Sequence, residues 1–306
     1  MKKITIFLLG ISLFLAGCQQ NEATSQEESG KLKVVATTTM LTDLINQIGG
    51  DAIEVEGLMG PGIDPHGYQA SSSDVNKLMS ADVVAFNGLH LEGKLGEVFE
   101  NLEKQGKTLF VLEDAIADEH LLLSEDGAVD PHIWFSIENW QLAADYITNQ
   151  LSEADPDNEA FYRSNHESYK EELINLEAYV TERISELTVD QRYLVTAHDA
   201  FSYFGESFDF EVVGLQGINT QTEAGTADVS ALAQFITEKE IKALFIESSV
   251  STRTIEALQE AVRTRGWEVE IGGELFSDAL GDSSQDAETY VKMFHRNIDT
   301  IVDGLK

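Results

Sequence analysis

The chain has 306 residues, with 54 acids against 20 bases and a net charge of −34. That balance excludes a nucleic-acid partner, because phosphate binding needs basic surface. A single cysteine excludes an intrachain disulfide, so the fold must rest on its core.

Lys2 and Lys3 precede a short apolar run, Ile4 to Ala16, that ends in Leu15-Ala16-Gly17-Cys18. A basic start, a short apolar core and small residues at its end read as a secretion signal spanning residues 1–17. The ending resembles the lipobox of bacterial lipoproteins. That resemblance implies cleavage before Cys18 and a diacylglycerol on its sulfur. Cleavage would remove two lysines and no acid, taking the charge from −34 to near −36. Residues 18–30, CQQNEATSQEESG, are polar and without periodicity, and read as a flexible tether. No later apolar run has the length of a bilayer span.

From about Lys31, short apolar strands alternate with helical patterns. Strands are expected at 32–36, 53–59, 82–86 and 108–112. Helices are expected at 40–48, at 72–79 capped by Ser72, and at 91–104. Such alternation implies βαβ units and a mostly parallel sheet. Helical spacing then runs from Ile137 to Leu151. After Asp155-Pro156-Asp157 it resumes from Asn158 to Leu187 with no proline or glycine. Phe161, Tyr162, Tyr169, Leu173, Leu176, Val180, Ile184 and Leu187 mark one face over about 45 Å of rise. Alternation returns with strands at 192–196, 210–215, 243–247 and 268–272. Helices are expected at 200–206, 228–240, 252–265 and 285–305. The expected fold is α/β: a lobe at 31–157, one long helix at 158–187, and a second lobe at 188–306.

Two of the four prolines sit in the same corner, DPHGYQ at Asp64 and DPHIWF at Asp130. In α/β sheets ligands bind beyond the carboxyl ends of strands. His66, His132, His198 in TAHDAF and Asp278 in GGELFSDALGD all fall at such ends, two in each half. Three imidazoles and a carboxylate are borderline donors that accept zinc, manganese or iron. Proline stiffens each corner, and Asp64 and Asp130 are candidates to orient the adjacent histidines. His90, His120, His166 and His295 read as structural or surface residues.

DPHGYQ, NGLHLEG, DPHIWF, TAHDAFSYFG, GLQGINTQTEAG, LFIESSV and IGGELFSDALGD, in this order, resemble the TroA-like metal-binding lipoproteins of bacterial ABC importers for manganese and zinc. The resemblance covers the chain from about Leu32 to its end. It implies two α/β lobes joined by a rigid backbone helix, with the metal in the cleft on His66, His132, His198 and Asp278. It also implies a lipid-anchored protein on the outer face of the cell membrane. Its partners would be a permease and its ATPase, and the protein would be a monomer and not an enzyme. Manganese-dedicated members usually carry Glu where this chain has His198. Zinc-dedicated members usually carry a His-rich acidic loop where residues 113–129 contain only His120. Manganese is the expected cargo and zinc the next. The alternatives are a zinc-specific importer component, a surface adhesin and a metallohydrolase.

Overall fold

The computed structural model describes residues 30–124 and 127–306. The expected signal peptide, Cys18 and the tether, Gly30 excepted, lie outside the described residues. Among those described, no helix is long and apolar enough to cross a membrane.

The first lobe is a run of βα units: β1 Leu32–Ala36, α1 Thr39–Gly49, β2 Ile53–Gly57, α2 Ser72–Ser80, β3 Val83–Phe86, α3 Gly96–Lys104 and β4 Thr108–Val111. The strands form one parallel sheet in the order β2-β1-β3-β4. Ser71, one residue before the expected Ser72, caps α2 in a reciprocal box with Asp74. Helix α3 begins at Gly96 and not at Leu91. Leu89 and His90 take left-handed backbone angles (φ 51° and 62°), and Leu91–Leu95 continue as turns. Such angles stop a right-handed helix from starting there.

Two helices follow, α4 Ile137–Ala154 and the 26-residue α5 Glu159–Ile184, about 39 Å long. The second lobe contains β5 Tyr193–His198, α6 Ser202–Phe208, β6 Glu211–Gln216, α7 Thr226–Lys239, β7 Ala243–Glu247, α8 Arg253–Arg263, β8 Glu270–Leu275 and α9 Tyr290–Leu305. Its strands pair in parallel, β5 with β6 and β7 with β8, and β5 lies beside β7.

The long helix is embedded and not free-standing. Tyr162, His166, Tyr169, Leu173, Leu176, Val180 and Ile184 are buried at spacings of three and four. They face α1, α4 and α9. Phe161, expected on that face, is instead 42% exposed. One apolar cluster joins Leu44, Trp140, Leu173 and Val180 to Phe204, Phe276, Tyr290 and Phe294, so the lobes share a core. A separate cluster, with Val195, Leu232, Ile236, Leu244 and Leu258, fills the layer of β5, β7, α7 and α8.

Helix α9 starts at Tyr290, five residues after the expected Gln285, because its first turn is capped there. Thr289 accepts from Lys292 N–H, and buried Asp43 accepts from Tyr290 N–H at 2.8 Å. Burial, with help from Glu172 and Glu288, pushes the Asp43 carboxyl up to about 6 against two opposing hydrogen bonds. A folded value above the unfolded 3.8 means that the ionised form costs stability. The cost is full above pH 6 and fades as pH falls from 6 towards 3.8. Asp43→Asn keeps an acceptor for Tyr290 and removes the charge. It should raise stability by about 3 kcal/mol at pH 8 and by clearly less at pH 5, read by urea unfolding. An equal gain at both pH values would refute this account.

Candidate metal centre

One strand end and three loops that follow strands deliver four side chains to one place. His66 lies in the fourteen-residue loop 58–71 between β2 and α2. His132 follows β4 at the start of a turn over Ile133–Phe135. His198 is the last residue of β5, within the strand and not just after it. Asp278 follows β8. One donor atom from each lies within 4.8 Å of all the others, and all four residues are buried.

The Nε2 atoms of His198 and His132 are 3.3 Å apart. The Asp278 carboxylate stands 3.3 Å from His198, 3.4 Å from His132 and 3.7 Å from His66. Two atoms each about 2.1 Å from one tetrahedral ion are about 3.4 Å apart. Yet His66 Nε2 and both Asp278 oxygens have no hydrogen-bond partner. Buried polar atoms without partners are rare in folded proteins. These donors converge on a common point instead of on one another, as the ligands of a single divalent ion would.

The repeated Asp-Pro-His corner has a shared geometry. In each, the aspartate Oδ1 accepts the histidine backbone N–H, at 2.8 Å from His66 and 2.9 Å from His132. This is an Asx turn, and the intervening proline stiffens it. The corners then diverge. Asp130 Oδ1 also accepts the Nδ1–H of His132 at 2.6 Å, which turns Nε2 inward. Asp64 does not orient the His66 ring; its second oxygen accepts from Thr220 Oγ1 at 2.6 Å.

Glu247, the last residue of β7, performs for His198 what Asp130 performs for His132. Its oxygens accept His198 N–H at 2.8 Å and Nδ1–H at 2.6 Å. Gly214 lets β6 close over this strand end, since a Cβ there would meet Asp199 N at 2.3 Å. Glu247 stands inside the quoted LFIESSV motif. The available signal was an acid at the end of a strand, and only the β5–β7 adjacency gives it a role.

Charges follow from this packing. Burial opposes charge on His132, but Asp130 and Asp278 outweigh it and hold the imidazole up at about 9. Burial also opposes charge on His198, and Glu247 and Asp278 hold it well above the usual histidine range. Burial pushes His66 down to about 4 despite Asp278. Burial disfavours charge on Asp278 too, yet His198 and His132 keep it well below the usual carboxylate range.

The lobes are tied beside this cluster. Trp134 Nε1 donates to Ser277 O, Tyr290 Oη to Trp134 O, and Leu280 N–H to Thr39 Oγ1. The other histidines stand apart. His90 and His120 are exposed, His166 pairs with Asp145, and His295 packs on Tyr179.

Two α/β lobes around a buried cluster of three imidazoles and one carboxylate define a cleft-type protein whose centre suits a divalent metal. The chain belongs to the ZnuA family, described as zinc-uptake complex component A, periplasmic, which matches residues 34–304. It is 44% identical over 292 residues to the manganese-binding lipoprotein MntA of Bacillus subtilis (strain 168), covering 95% of each chain. It is 43% identical to the zinc-binding protein TroA of Treponema pallidum, covering 90% of this chain and 89% of that one. The solved structure of Treponema pallidum TroA superposes with a TM-score of 0.88 at 42% identity, over 90% of this chain and 99% of that one.

Proposed function

We propose that this protein captures a divalent transition metal outside the cytoplasm and delivers it to the permease of an ABC importer. The observation that carries the reading is the convergence of His66, His132, His198 and Asp278, with both carboxylate oxygens left without a hydrogen bond. The metal is cargo, and manganese is the one we assign. Zinc also fits three imidazoles, and the relatives named above bear either metal in their names. A zinc-specific importer component is therefore the second reading.

Four protein donors leave no open position for an activated water, which argues against a metallohydrolase. An adhesin role would not need the buried cluster. Cys18 is the proposed acylation site, holding a monomer on the outer face of the membrane beside the permease and its ATPase. The proposed lobe limits are 31–157 and 188–306, with 158–187 as the backbone helix.

Elemental analysis of protein purified without chelator tests the reading directly. It should find close to one manganese or zinc per chain. Either metal should raise the melting temperature, since a ligand bound only by the folded state adds about 2.7 kcal/mol at 100 times its dissociation constant. Magnesium should not. An equal response to all three would show only non-specific binding by the acidic surface.

A further inference from the structure

The four ligands are not held alike. His132 is fixed by Asp130 and followed by Trp134, which bonds across to Ser277 beside Asp278. His198 ends a paired strand and is gripped by Glu247. His66 and Asp278 both stand in fourteen-residue loops without regular structure, 58–71 and 276–289, but the loop of Asp278 is tied on either side of it, by Ser277 O to Trp134 and by Leu280 N–H to Thr39. Loops of such length in compact domains are usually functional. The backbone bonds of the His66 loop beyond Met59 are local, Ile63 N–H to Gly60 O and Tyr68 N–H to Pro65 O. Gly60 to Ile63 are exposed, whereas Pro65 and His66 are buried.

What presses this loop inward comes from the other lobe. The segment 217–225 between β6 and α7 carries the GINTQTEAG part of a motif that the metal ligands leave unexplained. Thr220 Oγ1 donates to Asp64 Oδ2 at 2.6 Å, while Asp64 Oδ1 receives the His66 N–H. One carboxylate therefore joins a hydroxyl of the second lobe to the backbone of a ligand in the first. Gln221 lies over the same corner: a Cβ on Gly67 would come within 2.6 Å of its Nε2.

We propose that Thr220 is a positioning residue, a latch that holds His66 over the site through Asp64, so that metal leaves when this hydrogen bond opens. The proposal rests on the metal-binding reading above. It assigns release to one loop and one bond, and it requires no separation of the lobes where Trp134 and Ser277 join them.

The test compares the parent with Thr220→Val and Thr220→Ser. Metal release is followed by stopped-flow chelator capture from manganese- and zinc-loaded protein, and amide exchange of residues 58–71 is followed in metal-free protein. A hydrogen bond to an ionised acceptor supports about a tenfold effect. Thr220→Val should release metal about tenfold faster with an unchanged association rate. Thr220→Ser should stay within about twofold of the parent, because it keeps the hydroxyl. In metal-free Thr220→Val the His66 amide should exchange faster while amides of β1 and β3 do not. Parental release rates in Thr220→Val, equally fast release in Thr220→Ser, or unchanged His66 exchange would each overturn the latch. A parent protein that binds neither metal would overturn the metal reading instead, and the exchange comparison would still decide the latch.

Discussion

Asp278→Asn should weaken manganese and zinc binding at least about a hundredfold, and with it remove the rise in melting temperature on adding metal. The substitution is nearly isosteric, so the effect isolates charge. Asp278 is the one anionic donor among the four, and both its oxygens are buried without hydrogen-bond partners. Removing one member of a buried charge pair costs about 3–5 kcal/mol, or roughly two to nearly four powers of ten in affinity. The metal-free protein should also lose stability at neutral pH. The carboxyl is held well below 3.8 in the fold, so its contribution is present above 3.8 and lost as pH falls through the folded value. Chelator competition at fixed pH measures the first effect and urea unfolding the second. Parental affinity for both metals would remove Asp278 from the site.

The candidate ligands were legible in the sequence chiefly through the ordered motifs that resemble the family; only His198 sits at the end of an apolar run, whereas His66 and His132 lie well past Gly57 and Val111, where β2 and β4 end. Their supports were harder to read. Asp130 and Asp64 could both be suspected from their places beside His132 and His66, but Asp64 accepts only the backbone N–H of its histidine and not a ring N–H. Both corners form the same backbone turn, and what differs is where each histidine ring points. Glu247 is 49 residues from His198, and only the lateral order of strands brings them together. Helix starts shifted for a similar reason. The buried Glu92 side chain accepts from Thr37 Oγ1 and Asn87 N–H, which holds the segment before α3 as a turn. Asp43 caps α9 from 247 residues away. Periodicity reports which face is apolar, whereas caps and supports depend on partners distant in the chain.

The preference between metals should turn on the pair His198 and Glu247 and not on position 198 alone. Glutamate is the residue usual there in manganese-dedicated members of the family, so His198→Glu looks like a direct conversion. The geometry opposes it. Both Glu247 oxygens are committed to His198, one to its N–H and one to Nδ1–H, and neither side chain is exposed. A glutamate at 198 would replace the donating ring with a second carboxylate against Glu247, close to Asp278. An uncompensated buried charge costs about 3–5 kcal/mol. His198→Glu alone should therefore weaken zinc and manganese alike, by about a hundredfold. Adding Glu247→Gln removes the extra charge. The amide oxygen can still accept the N–H of residue 198, and the amide nitrogen can donate to the new carboxylate. The double variant should recover manganese binding to within about tenfold of the parent while zinc stays weaker, because two carboxylates favour the harder ion. Competition titrations of the parent, the single and the double variant with both metals decide this. If His198→Glu alone binds manganese as tightly as the parent, Glu247 does not control which ligand position 198 can present.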